Sequence, residues 1–165
     1  MVIEIDDSGW GDLIGGVVIV LRRVETNECY KGEIPIEFFR AKEFKYKIYL
    51  RYTTQIILEG LDVLKALKTE PIHICTGYIF SHAKDTLNEL GYTVKEVKIT
   101  GSTQQLAEKS FIESLVKKDV GSYDEIARMR SFNGFKEWVN EDLYNREKYV
   151  KSGWKNWRKH RRDEG

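Results

Sequence analysis

Hydrophobic residues early in the chain run together or alternate as in strands, and later recur at helical spacing. Residues 2–5 form a short β-branched run that breaks at Asp6-Asp7-Ser8-Gly9-Trp10-Gly11, a cluster of turn formers, so a first strand runs into a loop. Gly15-Gly16 lead into residues 17–21, a continuous apolar run that reads as a central strand buried on both faces. Glu25-Thr26-Asn27 is a turn, and residues 29–39 offer a third strand interrupted by Pro35. The short links predict a meander of these three strands.

From residue 44 to 68 the spacing becomes helical. Leu50, Ile57, Leu61 and Leu64 share a face that Tyr49, Ile56, Val63 and Leu67 widen, which predicts a long, deeply buried helix stopped by Pro71. Residues 72–75 form a fourth strand ending at Thr76-Gly77, residues 81–90 a helix closed by Gly91, and residues 92–99 a fifth strand. Thr100-Gly101-Ser102 then breaks the chain before a helix over 103–118. Beyond Gly121 the composition is helical, with candidates at 123–129 and 135–149. The order βββαβαβα predicts an α/β fold: a mixed sheet with flanking helices over residues 1–120, and a helical C-terminal extension over 121–165.

Composition narrows the classes. A chain of 165 residues can bury a real core as one domain, and 41% hydrophobic with 32% charged residues is globular rather than disordered. A net charge of +1 gives no global field, so affinity for a polyanion requires local clustering. Cys29 and Cys75 have no metal-ligand spacing and read as reduced, cytoplasmic thiols. The N-terminus lacks the pattern of a signal peptide, and no stretch approaches the ~20 apolar residues of a membrane helix.

The end of the first strand is the chemically suggestive place. Adjacent carboxylates suit a hard divalent ion, and the glycines beside them let a phosphate approach the backbone. The same residues are also ordinary turn chemistry.

This element order, with the stretch Ile5-Asp6-Asp7-Ser8-Gly9-Trp10-Gly11, resembles the ribonuclease H-like superfamily. The stretch is most similar to the type 2 ribonucleases H, which open with Ile-Asp-Glu-Ala-Gly-Arg-Gly before a glycine and a Val-rich strand. Asp6 falls on the first acid of that motif, Asp7 on the second, Gly9 and Gly11 on its glycines, and Gly15-Gly16-Val17-Val18 on the following segment. A looser likeness lies in residues 106–119, where Lys-Lys-Asp follows small and apolar residues. The resemblance implies phosphodiester hydrolysis with Mg²⁺ or Mn²⁺, on RNA or an RNA-containing duplex, with Asp6 and Asp7 catalytic and metal-binding. It also implies acids near Thr76 and near Thr100 or Gly101, where this sequence has none. Glu59 and Glu108 are candidates to supply the missing ligands, though each reads first as an ordinary solvated helix position.

The remaining chemistry is local. His73, His82 and His160 are too scattered for a zinc site, and Cys75 alternates with Ile72 and Ile74 as a packed thiol would. At the C-terminus Lys151, Lys155, Arg158, Lys159, Arg161 and Arg162 accompany Trp154 and Trp157. Such a patch suits phosphates and unpaired bases, and equally a terminal helix whose tryptophans pack on the domain. Three functions follow: a metal-dependent nuclease, a non-catalytic nucleic-acid-binding or assembly module on the same fold, and a nucleotide-dependent phosphotransferase. The last rests on a likeness to actin-like kinases, whose two lobes this chain is too short to hold.

Overall fold

The computed structural model describes residues 1–154 and 157. Its centre is a five-stranded sheet of order β3-β2-β1-β4-β5. The strands are β1 (Ile3–Ser8), β2 (Val17–Arg23), β3 (Cys29–Ile34), β4 (Ile72–Ile74) and β5 (Val94–Glu96). β1, β2 and β3 are antiparallel neighbours, whereas β4 joins β1 and β5 joins β4 in parallel. This is the mixed-sheet topology that the order of elements implied, with the apolar run of β2 lying inside the sheet.

Alternation divides the sheet's side chains between two layers. Ile3, Ile5, Ile19 and Leu21 pack with α2 (Ile48–Val63) and α3 (Ser81–Glu89), while Val18 and Val20 face α4 (Ser102–Lys117) on the other side. The C-terminal segment completes that second layer. Ile126 of α5 (Tyr123–Met129), Phe135 and Val139 of α6 (Phe132–Glu141), Val150 and Trp157 share one cluster with Leu13, Ile14, Phe111 and Leu115. Ser122 and Ser131 start α5 and α6 by accepting the backbone N–H of Glu125 and Gly134, which satisfies donors that a helix N-terminus leaves unpaired. A further short helix, α7 (Leu143–Arg146), leads to an isolated bridge between Val150 and Ile14.

Several boundaries differ from the sequence expectation. β1 runs on through Ser8, because Asp7 and Ser8 find partners in Ile19 and Val18 of β2, so both aspartates belong to the strand rather than to the turn. β3 stops at Ile34 before Pro35, and residues 36–39 turn into a 3₁₀ helix. The long helix begins at Ile48, since Lys47 takes a left-handed conformation (φ 56°) that separates it from α1 (Ala41–Phe44). It ends at Val63, which is 61% exposed, as Leu67 is at 64%; neither widens the buried face.

Candidate metal centre

The parallel register of β1 and β4 builds the site. Ile5 pairs with Ile74, and the backbone N–H of Cys75 donates to the carbonyl of Ile5 at 3.0 Å. The next residues along the two strands, Asp6 and Cys75, therefore stand side by side. Consecutive strand residues face opposite ways, so Asp7 emerges on the other side of β1, where its Oδ1 lies 3.9 Å from where a Cβ on Gly77 would sit. At the end of the strand the two faces meet: one ligand atom each from Asp6, Asp7 and Cys75 lie within 4.8 Å of one another.

Electrostatics marks this cluster as short of positive charge. Asp6 is buried, and its Oδ1 accepts the backbone N–H of Asp7 at 2.9 Å. Burial raises its pKa above the usual carboxylate value, Glu108 and Glu4 raise it further, and the hydrogen bonds from Asp7 and Cys75 oppose the rise. Asp7 is pushed up to about 7, first by burial and then by the neighbouring charge of Asp6. Burial also raises the Cys75 thiol, with the Asp6 charge adding to it. Carboxylates that resist joint ionisation have a strong electrostatic preference for a cation between them.

The donor set fits such an ion. Two donors on one cation with bonds of ~2.0 to 2.3 Å stand at most ~4.6 Å apart, so the widest separation in this cluster, up to 4.8 Å, closes on an ion with a small side-chain rotation. Two carboxylates and a thiol could hold a single divalent ion.

A cationic neighbour stands beyond the acids. The guanidinium of Arg130 grips Asp12 through Nε at 3.2 Å and Nη2 at 3.0 Å, and Nη2 also donates to Ser8 Oγ at 2.8 Å. The same group lies 4.5 Å above the Phe111 ring. Asp12, Glu108, Lys109 and Arg130 line an open cleft of 670 Å³ beside α4. Gly9, between the acids and this cleft, has φ +112°, and a Cβ there would meet the Gly16 carbonyl and the Phe111 ring at 2.7 Å. Only glycine permits this close crossing.

The residues singled out in the sequence fare differently. Asp6 and Asp7 come together with Cys75, whereas Glu108, exposed on α4, is outside that cluster and reaches Asp6 only through its charge. Glu59 does not: it is exposed on α2 and accepts from Tyr30 Oη at 3.2 Å, out by the edge strand β3. Thr76 and Thr100 are exposed. Trp157, offered to bases by the sequence, is 2% exposed and packed in the second core layer. Trp154 packs edge-on to Trp10 and Phe44 at 4.9 Å. Lys151 is wholly buried, so it belongs to no surface patch. Lys155, Arg158, Lys159, Arg161 and Arg162 lie outside the described residues. Cys75, read from the sequence as a packed thiol at the end of β4, instead stands with the two aspartates, because the parallel register sets it beside Asp6. Arg130, which nothing local in the sequence marks, bonds to Ser8 and Asp12 from more than a hundred residues away.

No family model matches the sequence, and no curated protein does. Among solved structures, the catalytic core domain of BIV integrase aligns with a TM-score of 0.40 and 10% identity, over 87% of this chain and 97% of that one.

Proposed function

We propose that this chain is a divalent-metal-dependent nuclease that hydrolyses phosphodiesters in RNA or DNA. The observation that carries the reading is the convergence of Asp6, Asp7 and Cys75 at the tip of β1, with Glu108 close enough to be felt by Asp6. Mg²⁺ or Mn²⁺ is the ion that the resemblance to the ribonuclease H-like superfamily suggests. A bound cation would supply polarisation of the phosphoryl oxygen and a more acidic water. The protein's own groups fix the geometry around it. Asp6 is held by the N–H of Asp7, while Arg130, ion-paired with Asp12 and bonded to Ser8, braces the loop that follows β1 at the wall of the cleft beside α4. An RNA-containing duplex is the preferred substrate class.

Cleavage of single strands, duplexes and RNA–DNA hybrids should require a divalent cation and disappear in Asp6→Asn. Cleavage that survives this change, or fails with every substrate and with Mg²⁺, Mn²⁺, Zn²⁺ and Co²⁺ alike, overturns the proposal. A second reading, a non-catalytic nucleic-acid-binding or assembly module, is favoured by the threonines at positions 76 and 100 where the family resemblance calls for acids. Salt-dependent binding of nucleic acid without turnover would select it.

A further inference from the structure

We infer that Cys75 is a specificity-determining ligand that makes the centre prefer a thiophilic divalent cation, of the Zn²⁺ or Co²⁺ class, over Mg²⁺. The inference rests on the reading of Asp6 and Asp7 as cation ligands.

Three observations carry it. Parallel pairing of β4 with β1 places Cys75 directly beside Asp6, and its backbone N–H on the Ile5 carbonyl fixes it there. Its sulfur lies within 4.8 Å of the carboxylate ligand atoms. The residue that follows, Thr76, brings no carboxylate, so sulfur is the donor that β4 offers to the cluster.

The chemistry of the donor set then decides the ion. Mg²⁺ takes oxygen ligands in near-octahedral geometry and gains nothing from sulfur, whereas Zn²⁺ and Co²⁺ bind thiolate strongly and accept carboxylates beside it. On binding, the Cys75 S–H bond breaks, a sulfur–metal bond forms, and the proton leaves to the buffer. Mn²⁺, harder than Zn²⁺, should fall between the two classes.

Co²⁺ titration tests this, because a thiolate ligand gives a sulfur-to-cobalt charge-transfer band in the near ultraviolet. The full chain carrying Cys29→Ser is the background, which removes the other, exposed thiol. The band should appear on titration, be abolished by Zn²⁺ and persist in a large excess of Mg²⁺. In Cys75→Ser it should be missing, with Co²⁺ affinity lowered ~10-fold or more and Mg²⁺ affinity little changed. Cys75→Asp should shift the preference back toward Mg²⁺ and Mn²⁺. Circular dichroism establishes that each variant is folded.

Co²⁺ binding with no charge-transfer band, or with affinity indifferent to Cys75→Ser, overturns the inference while leaving the aspartates as ligands. Calorimetry showing that no divalent cation binds the background protein overturns both.

Discussion

The ammonium of Lys151 donates to the backbone carbonyl of Asp12 at 2.7 Å and to that of Ile14 at 3.0 Å, entirely out of contact with solvent. With the Lys151 N–H on the Leu13 carbonyl and the Ile14–Val150 bridge, it fastens the C-terminal segment to the loop that leaves β1. The loop next to the acids is therefore held by a residue at the other end of the chain.

Burial lowers the Lys151 pKa from 10.5 to about 7, the Asp12 charge only partly opposing it. Between those values the unfolded chain binds a proton that the folded chain does not, so this group adds stability as pH rises from about 7 toward 10.5. The contribution is lost as pH falls through about 7. Lys151→Met removes the titration and leaves two carbonyls without their donor, a loss of ~1 to 3 kcal/mol for each group stranded. Thermal melts across pH 6 to 10 should show wild type gaining on the variant over the upper part of that range. Parallel curves would remove Lys151 as the source.

Asp7 has the opposite sign. Its pKa is raised from 3.8 to about 7, so between those values the folded chain keeps a proton that the unfolded chain has shed. Its contribution is fully present below pH 3.8 and is lost as pH rises through about 7. In metal-free protein at pH 8, Asp7→Asn should therefore raise Tm, by ~2 to 4 °C for each kcal/mol relieved. Added Mn²⁺ should then stabilise wild type and not the variant. A metal-free variant that melts below wild type at this pH would mean that Asp7 is not held under electrostatic strain.

Glu108 and Glu59 differ in position and should differ in effect. Glu108 raises the pKa of Asp6 across the site, while Glu59 hydrogen-bonds with Tyr30 near β3. Glu108→Gln should lower metal-dependent cleavage by ~10-fold or more, equivalent to about 1.4 kcal/mol of barrier. Glu59→Gln should leave the rate essentially unchanged. Equal losses in the two variants would refute this assignment.

Arg130 joins Ser8, at the end of β1, and Asp12, in the loop that leaves it, to the Phe111 ring of α4. Arg130→Ala strands the partly buried Asp12 carboxylate and should cost about 1–3 kcal/mol in urea unfolding. Arg130→Lys should recover only part, because an ammonium lacks the planar fork that meets both carboxylate oxygens. Full recovery by lysine would show that charge alone matters there.

The local pattern of the chain determined most of the architecture. β-Branched runs, helical spacing from Leu50 to Leu64, and breaks at Pro71, Gly91 and Gly101 suffice for the element order, because each acts over one or two turns of chain. The same local chemistry picked out Asp6 and Asp7. It misjudged where β1 ends, since Asp7 and Ser8 look like turn formers until β2 offers them hydrogen-bond partners. It also left Trp154, Trp157 and Lys151 open to a surface role, because amphipathic residues give no sign of which neighbour will cover them. Only the tertiary structure decided that Cys75 stands beside Asp6, that the charge of Glu108 is felt at Asp6 while Glu59 lies apart, and that Arg130 reaches Ser8 and Asp12. These are facts of strand register and of packing between distant segments. A single residue's slip in the β1–β4 pairing would move Cys75 from the side of Asp6 without altering a letter of the sequence pattern.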